Sequence, residues 1–283
     1  MSSVSATRCT TCPRGCALAR GAVGACRARG NVDDCIVPLS YGRVTSLAVD
    51  PVEKKPLARW RPGSTVLSLG SYGCNLRCPW CQNHSISQAG EDDVPWRVLE
   101  PREIADLATR LHAEDPRMVG VAYTYNEPLV AWEYVRDCAE LVRAAGLSNV
   151  LVSAGCVSAE VVRAVAPLID AANIDLKAFS EAIYRRAGGD LATVKTTLEL
   201  LAAEPTCHLE VTTLVVPGVN DTDEEMDALA SWLAGLGVDI TLHVTRFFPS
   251  WQMTDRGPTP VARVYELADR ARRHLAHVYT GNC

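Results

Sequence analysis

The stretch GCNLRCPWCQNH, residues 73–84, places Cys74, Cys78 and Cys81 within eight residues. A disulfide uses two thiols and a closed zinc site uses four ligands, so a trio fits neither. The stretch RCPWCQN is polar and turn-like, which argues against three thiols serving only as core. Gly73 eases a backbone turn just before the first of them. A [4Fe–4S] cubane is usually held by four thiolates. With three, one iron keeps an open position for an outside ligand, as catalytic zinc sites keep one place free. A zinc ion completed by His84 or a more distant side chain is the competing reading.

Working outward, residues 64–70 (STVLSLG) form a short apolar run that ends just before this loop, and it reads as a buried strand. The amphipathic stretch PREIADLATRLH follows, with Ile104, Leu107 and Leu111 on one helical face. The same strand–helix alternation recurs through MVGVAYT, NVLVSAG, ANIDLK, HLEVTTLVVPG and DITLHVT, giving six units in order. Pro128 and Gly146 bracket the second helix. Thr222 and Glu225 form a capping box for a later one, and the last helix runs from Pro260 to about Leu275. Repeated βα units call for a parallel sheet with right-handed crossovers. Six is short of a closed eight-fold barrel. The fold expected is therefore α/β, a partial (βα)6 TIM-like barrel over residues 64–283, with a doubly wound sheet as the alternative. In both, function gathers at the carboxyl ends of the strands, where the cysteine loop lies.

Residues 1–35 hold five of the twelve cysteines and read as a metal-binding segment. Residues 36–63 read as a β-hairpin around Tyr41-Gly42-Arg43 and a connecting loop. In the head, Cys9, Cys12, Cys16 and Cys26 form a C-x2-C-x3-C-x9-C pattern, a closed site in a piece too small to fold on an apolar core of its own. Zinc and an auxiliary iron–sulfur cluster both fit, and Cys35 is a substitute ligand. The chain has 283 residues, a net charge of −5 and a hydrophobic fraction of 48%. The acidic balance argues against nucleic acid as a partner. No segment has the pattern of a signal peptide or membrane span. The expected location is the cytoplasm, where clustered cysteines point to metal or redox chemistry.

With an aromatic residue just before its last cysteine, Cys74-x3-Cys78-x2-Cys81 resembles the signature of the radical S-adenosylmethionine (SAM) superfamily. More narrowly, DPVEKKPL, YTYNEP, TRFFPSWQMT and VYTGN resemble the radical SAM member of the AmmeMemoRadiSam group, itself similar to pyruvate formate-lyase activating enzymes. Many members of that group continue past the terminal Gly-Asn into a cysteine-bearing tail, and the sequence here stops at Cys283. The resemblance implies a [4Fe–4S] cluster, SAM and an external one-electron reductant such as flavodoxin or ferredoxin. It implies reductive cleavage of SAM and hydrogen-atom abstraction from a small-molecule or protein substrate. An activase for a glycyl-radical partner is the alternative. An electron-transfer or metal-binding module without SAM is a third reading.

The resemblance also implies cofactor contacts. Trp80 is expected near the adenine with Gln82 and Asn83 close by, and Asn126 and Glu127 at the second strand end. Glu127 stands where a Gly-Gly-Glu motif is usual, without the glycines, and an acid at a helix start is its other reading. Asp175 and Lys177 share one strand face and repeat the Asp-Leu-Lys triplet of the activating enzymes, a structural ion pair being the alternative. Ser153 replaces their Asp-Thr-Asn-Gly stretch, and Thr212 stands in place of an arginine. His243 ends the list, as a cofactor neighbour or a core histidine.

Overall fold

The computed structural model describes residues 6–237 and 239–283. Its centre is one eight-stranded sheet whose strands follow chain order: β1 (Ser46–Pro51), β2 (Thr65–Gly70), β3 (Met118–Tyr123), β4 (Ser148–Ser153), β5 (Ala171–Asp175), β6 (His208–Val215), β7 (Thr241–Arg246) and β8 (His277–Gly281). The pair β1 and β2 is antiparallel, and every later pair is parallel. The helices α1 (Pro101–Glu114), α2 (Trp132–Ala144), α3 (Ala159–Val165), α4 (Leu191–Ala202), α5 (Asp223–Ala234) and α6 (Val261–Ala271) follow β2 to β7 in turn. These are the six units of the partial barrel. Two strands were not foreseen in the sheet: β8 after the last helix, and β1 inside the stretch read as a connector.

Alternation along the strands divides the side chains between two faces. Leu67, Leu69, Val121, Leu151, Ile174, Val211 and Leu242 pack outward into the core shared with the helices. The inner face differs from one side to the other. On β2 to β5, Val66, Ala122, Val150 and Ala171 close around Val52 and Leu57 from the loop that joins β1 to β2. On β5 to β7 the inner positions are Asn173, Glu210, Thr212, Thr241 and His243, all buried polar groups. Half of the lumen is thus an apolar plug, and the other half keeps a polar lining.

A β-hairpin is present in the N-terminal part, with its turn earlier than the sequence placed it. Arg29–Val32 pairs with Cys35–Pro38, and the turn is Asp33-Asp34 with φ of 49° and 66°. Two consecutive positive φ values give the tight turn that suits strand twist, and aspartate tolerates that conformation. Residues 43–44 instead pair with Arg97–Val98, and Ser46–Pro51 joins the sheet. The capping box is half formed. Thr222 accepts from Glu225 N, while the Glu225 carboxylate turns away to accept from Phe179 N.

Candidate active site

The cysteine loop leaves the carboxyl end of β2 and is fixed from three sides. Asn126, at the end of β3, accepts from Ser71 N at 3.0 Å and donates to Tyr72 O and Gly73 O at 3.2 and 3.0 Å. The head approaches from outside. Cys74 N donates to Cys26 O at 3.1 Å, and Arg14 Nε donates to Asn75 O at 2.7 Å. The 247–253 loop covers the far side, with Gln252 N on Pro79 O at 3.0 Å and Ser250 Oγ on Cys81 O at 3.2 Å. Gly73 has φ +87°, and a Cβ there would lie 2.5 Å from Cys26 O. No other residue type fits that junction.

The loop opens into a cavity of about 680 Å³ lined by Cys74, Cys78 and Cys81. Burial pushes the Cys74 thiol well above its ordinary value and the Cys78 thiol up to about 11. Buried thiolates therefore need a cation beside them. Hydrogen-bond partners for sulfur are in place: Leu76 N donates to Cys74 Sγ at 3.3 Å, and Ser87 Oγ lies 3.2 Å from Cys81 Sγ. This donor set fits an iron–sulfur cluster.

The residues expected as cofactor contacts line the same cavity. Glu127 is buried. Its carboxylate accepts from Ser153 Oγ at 2.7 Å, Ala154 N at 2.8 Å and Leu129 N at 3.0 Å. Burial raises its pKa and these hydrogen bonds oppose the rise. It is both the acid that starts the Pro128–Ala131 turn and a cavity wall. Ser153 orients Glu127, and Asn126 is engaged with backbone. Asn83 Nδ2 holds Tyr125 O at 2.7 Å, and Trp80 is buried. Lys177 Nζ lies 2.7 Å from Asp175 Oδ2. Burial works against the lysine charge, but Asp175 and the sulfurs of Cys78 and Cys81 outweigh it and hold its pKa above the ordinary value. His243 lines the opposite wall.

Sequence reasoning missed the groups behind these. Glu210 is fully buried and contacts His243; a single acid within an apolar strand was its only local sign. Asp50 accepts from Lys55 Nζ at 2.8 Å and from Tyr125 OH at 2.6 Å. Lys55 belongs to the stretch read as a connecting loop, yet it is 2% exposed.

In the head, Thr7–Arg8 pairs with Ala17–Leu18 and Cys9 N donates to Cys16 O at 2.9 Å, which brings the first three cysteines together. Burial raises the pKa of Cys12 and Cys26, and their neighbouring thiols add to it. Cys35 is exposed. Among the described residues no three Cys, His, Asp or Glu side chains close around a single-ion position.

The sequence profile of the Radical SAM superfamily matches residues 69–233, more than half of the chain. The chain is 36% identical over 277 residues to an uncharacterized protein of Methanocaldococcus jannaschii, covering 97% of this chain and 81% of that one. Among solved structures it resembles a radical SAM methyltransferase from Sphaerobacter thermophilus, with a TM-score of 0.55 and 16% identity over 77% of this chain and 66% of that one. It also resembles a domain of the pyruvate-formate lyase-activating enzyme from Bacteroides vulgatus, with a TM-score of 0.50 and 18% identity over 58% of this chain and 99% of that one. This protein belongs to the radical SAM superfamily. A [4Fe–4S] cluster and SAM are the cofactors of that class. Among the described residues no helix is long and apolar enough to cross a membrane.

Proposed function

We propose that the cavity holds SAM against a cluster ligated by Cys74, Cys78 and Cys81, and that the protein abstracts a hydrogen atom from a substrate admitted beside it. The observation carrying this reading is that the three-cysteine loop, Glu127 and the Asp175–Lys177 pair all face one cavity. When bound, the cluster and SAM supply an electron, cleavage of the sulfonium bond and the hydrogen-abstracting species. The chain supplies the setting. Asp175 and Lys177 offer an anion and a cation side by side, matched to a ligand carrying both ammonium and carboxylate. Trp80 offers a flat apolar surface, and Glu127 is held rigidly in the cavity wall.

The test is anaerobic. With reconstituted protein and dithionite, SAM should perturb the cluster spectrum and 5′-deoxyadenosine should be released. An unmoved spectrum with no release rejects the reading in favour of a module without SAM chemistry. Activation of a glycyl-radical partner is a narrower form of the same chemistry, favoured by the Asp175-Leu176-Lys177 triplet. A glycyl signal by electron paramagnetic resonance in a mixture with such a partner would establish it.

Cys9, Cys12, Cys16 and Cys26 are assigned to a second metal site, taking zinc or an auxiliary cluster. Iron and zinc measured on the wild type and on a Cys9→Ala/Cys12→Ala variant should differ by that one site's content. Equal contents would remove it.

A further inference from the structure

Glu210 takes no part in the chemistry above, and its surroundings give it a role. Its carboxylate accepts from Ala58 N at 3.0 Å, Arg59 N at 2.8 Å, His208 Nε2 at 2.9 Å and His243 Nε2 at 2.5 Å. Burial alone would raise its pKa, but these donors outweigh burial and hold it well below the usual carboxylate range. An ionised carboxylate only accepts hydrogen bonds, so Nε2 of His243 carries a hydrogen, and in the neutral ring Nδ1 is left as an acceptor. Among the described residues, Nδ1 of the same ring has no protein partner. The ring lines the cavity and stacks on Tyr279, with centroids 5.7 Å apart.

Two hydroxyls flank it. Thr212 Oγ1 donates to Asn173 Oδ1 at 2.8 Å. That oxygen is identified as the acceptor because Asn173 Nδ2 donates to Pro56 O at 2.8 Å. Thr245 Oγ1 donates to Thr213 O at 3.3 Å. With their hydrogens engaged, both hydroxyls have lone pairs left for the cavity they line.

We propose that Glu210 is a positioning residue that fixes His243 with Nδ1 as a bare acceptor, so that β6 and β7 present an acceptor-lined wall to the O–H or N–H donors of a ligand. The same carboxylate grips Ala58 and Arg59, so the loop joining β1 to β2, which forms the floor, and this wall are set by one group. The ligand class is a hydroxyl- or amine-bearing molecule. The ribose of SAM and a hydroxylated substrate share that chemistry, and only the choice between them rests on the proposed function.

The test reads the imidazole directly, by 15N NMR of histidine-labelled, cluster-loaded, oxidised protein, with the His243 signals assigned by their loss in His243→Leu. In the wild type Nδ1 should resonate as an unprotonated nitrogen and Nε2 as a protonated one. In Glu210→Gln the side-chain amide can offer its own N–H to Nε2, and the hydrogen should move to Nδ1. A wild-type His243 with a hydrogen on Nδ1, alone or together with one on Nε2, or the same tautomer in both proteins, overturns the proposal. The wild-type spectrum alone suffices if Glu210→Gln does not fold. SAM titrated into wild type and His243→Leu then separates the sources: a loss of about tenfold, the effect of one hydrogen bond, puts the cofactor's ribose on the wall, and affinities equal within about twofold put a substrate hydroxyl there. Failure of SAM to bind the wild type sinks the proposed function, and the tautomer result still stands or falls by itself.

Discussion

Gly73 is where a single methyl group decides whether two parts of the molecule meet. Ala28 Cβ would lie 2.7 Å from an added Cβ, and the backbone is left-handed. Gly73→Ala should therefore cost about 2–4 kcal/mol from strain and overpacking together, with lower iron retention. Gly146→Ala, at φ +77° with nothing within 4 Å, should cost only about 1 kcal/mol. Urea titration of both variants checks the contrast. Asp50 and Glu210 give a second prediction. Both have native pKa values below their ordinary values of 3.8 and 4.5. A carboxylate shifted downward stabilises the fold fully above its unfolded value and loses that contribution as pH falls below it. Stability should therefore drop as pH falls from about 5 toward 3, and less steeply in Asp50→Asn. A slope unchanged by that substitution would contradict the assignment. The cysteine trio could be singled out from the sequence because its spacing is local. Glu210 was not, because its partners lie 33 residues away at His243 and 152 away at Ala58.

At the scale of elements, strands and helices with one strong apolar period were readable, because burial against the helices imposes that period. β8 was not: Val278 is its one buried residue, the others are intermediate or exposed, and Tyr279 is 40% exposed. In the sequence β1 reads as one arm of a local hairpin, because a short apolar run does not say which strand it will pair with. The floor loop gives this scale its prediction. Leu57 is fully buried among Val52, Val66 and Ala122. Leu57→Ala should cost about 2–5 kcal/mol by transfer and cavity terms, read as a lower urea midpoint. Because the plug and the polar wall share Glu210, the variant should also alter ligand affinity. A stable Leu57→Ala protein would show that the plug is loosely packed.

For the whole molecule, the head is bound to the barrel mainly through polar contacts. Arg29, 5% exposed, meets Glu133 of α2 through two hydrogen bonds of 2.8 and 2.7 Å and also reaches Val130 O at 3.0 Å. Lysine cannot reproduce that planar fork. Arg29→Ala should cost about 3–5 kcal/mol by leaving Glu133 without its partner, and Arg29→Lys should recover only part of it. Limited proteolysis near residue 20, compared with wild type, is the measurement. The sheet also runs from β1 to β8 without its two outermost strands pairing with each other. If the proposed chemistry runs in this chamber, strands with such a seam do not by themselves keep a reactive carbon species from water. On the proposed function, the bound substrate completes the wall between those two strands. In such a design the guest is also the stopper, and turnover without it should squander SAM.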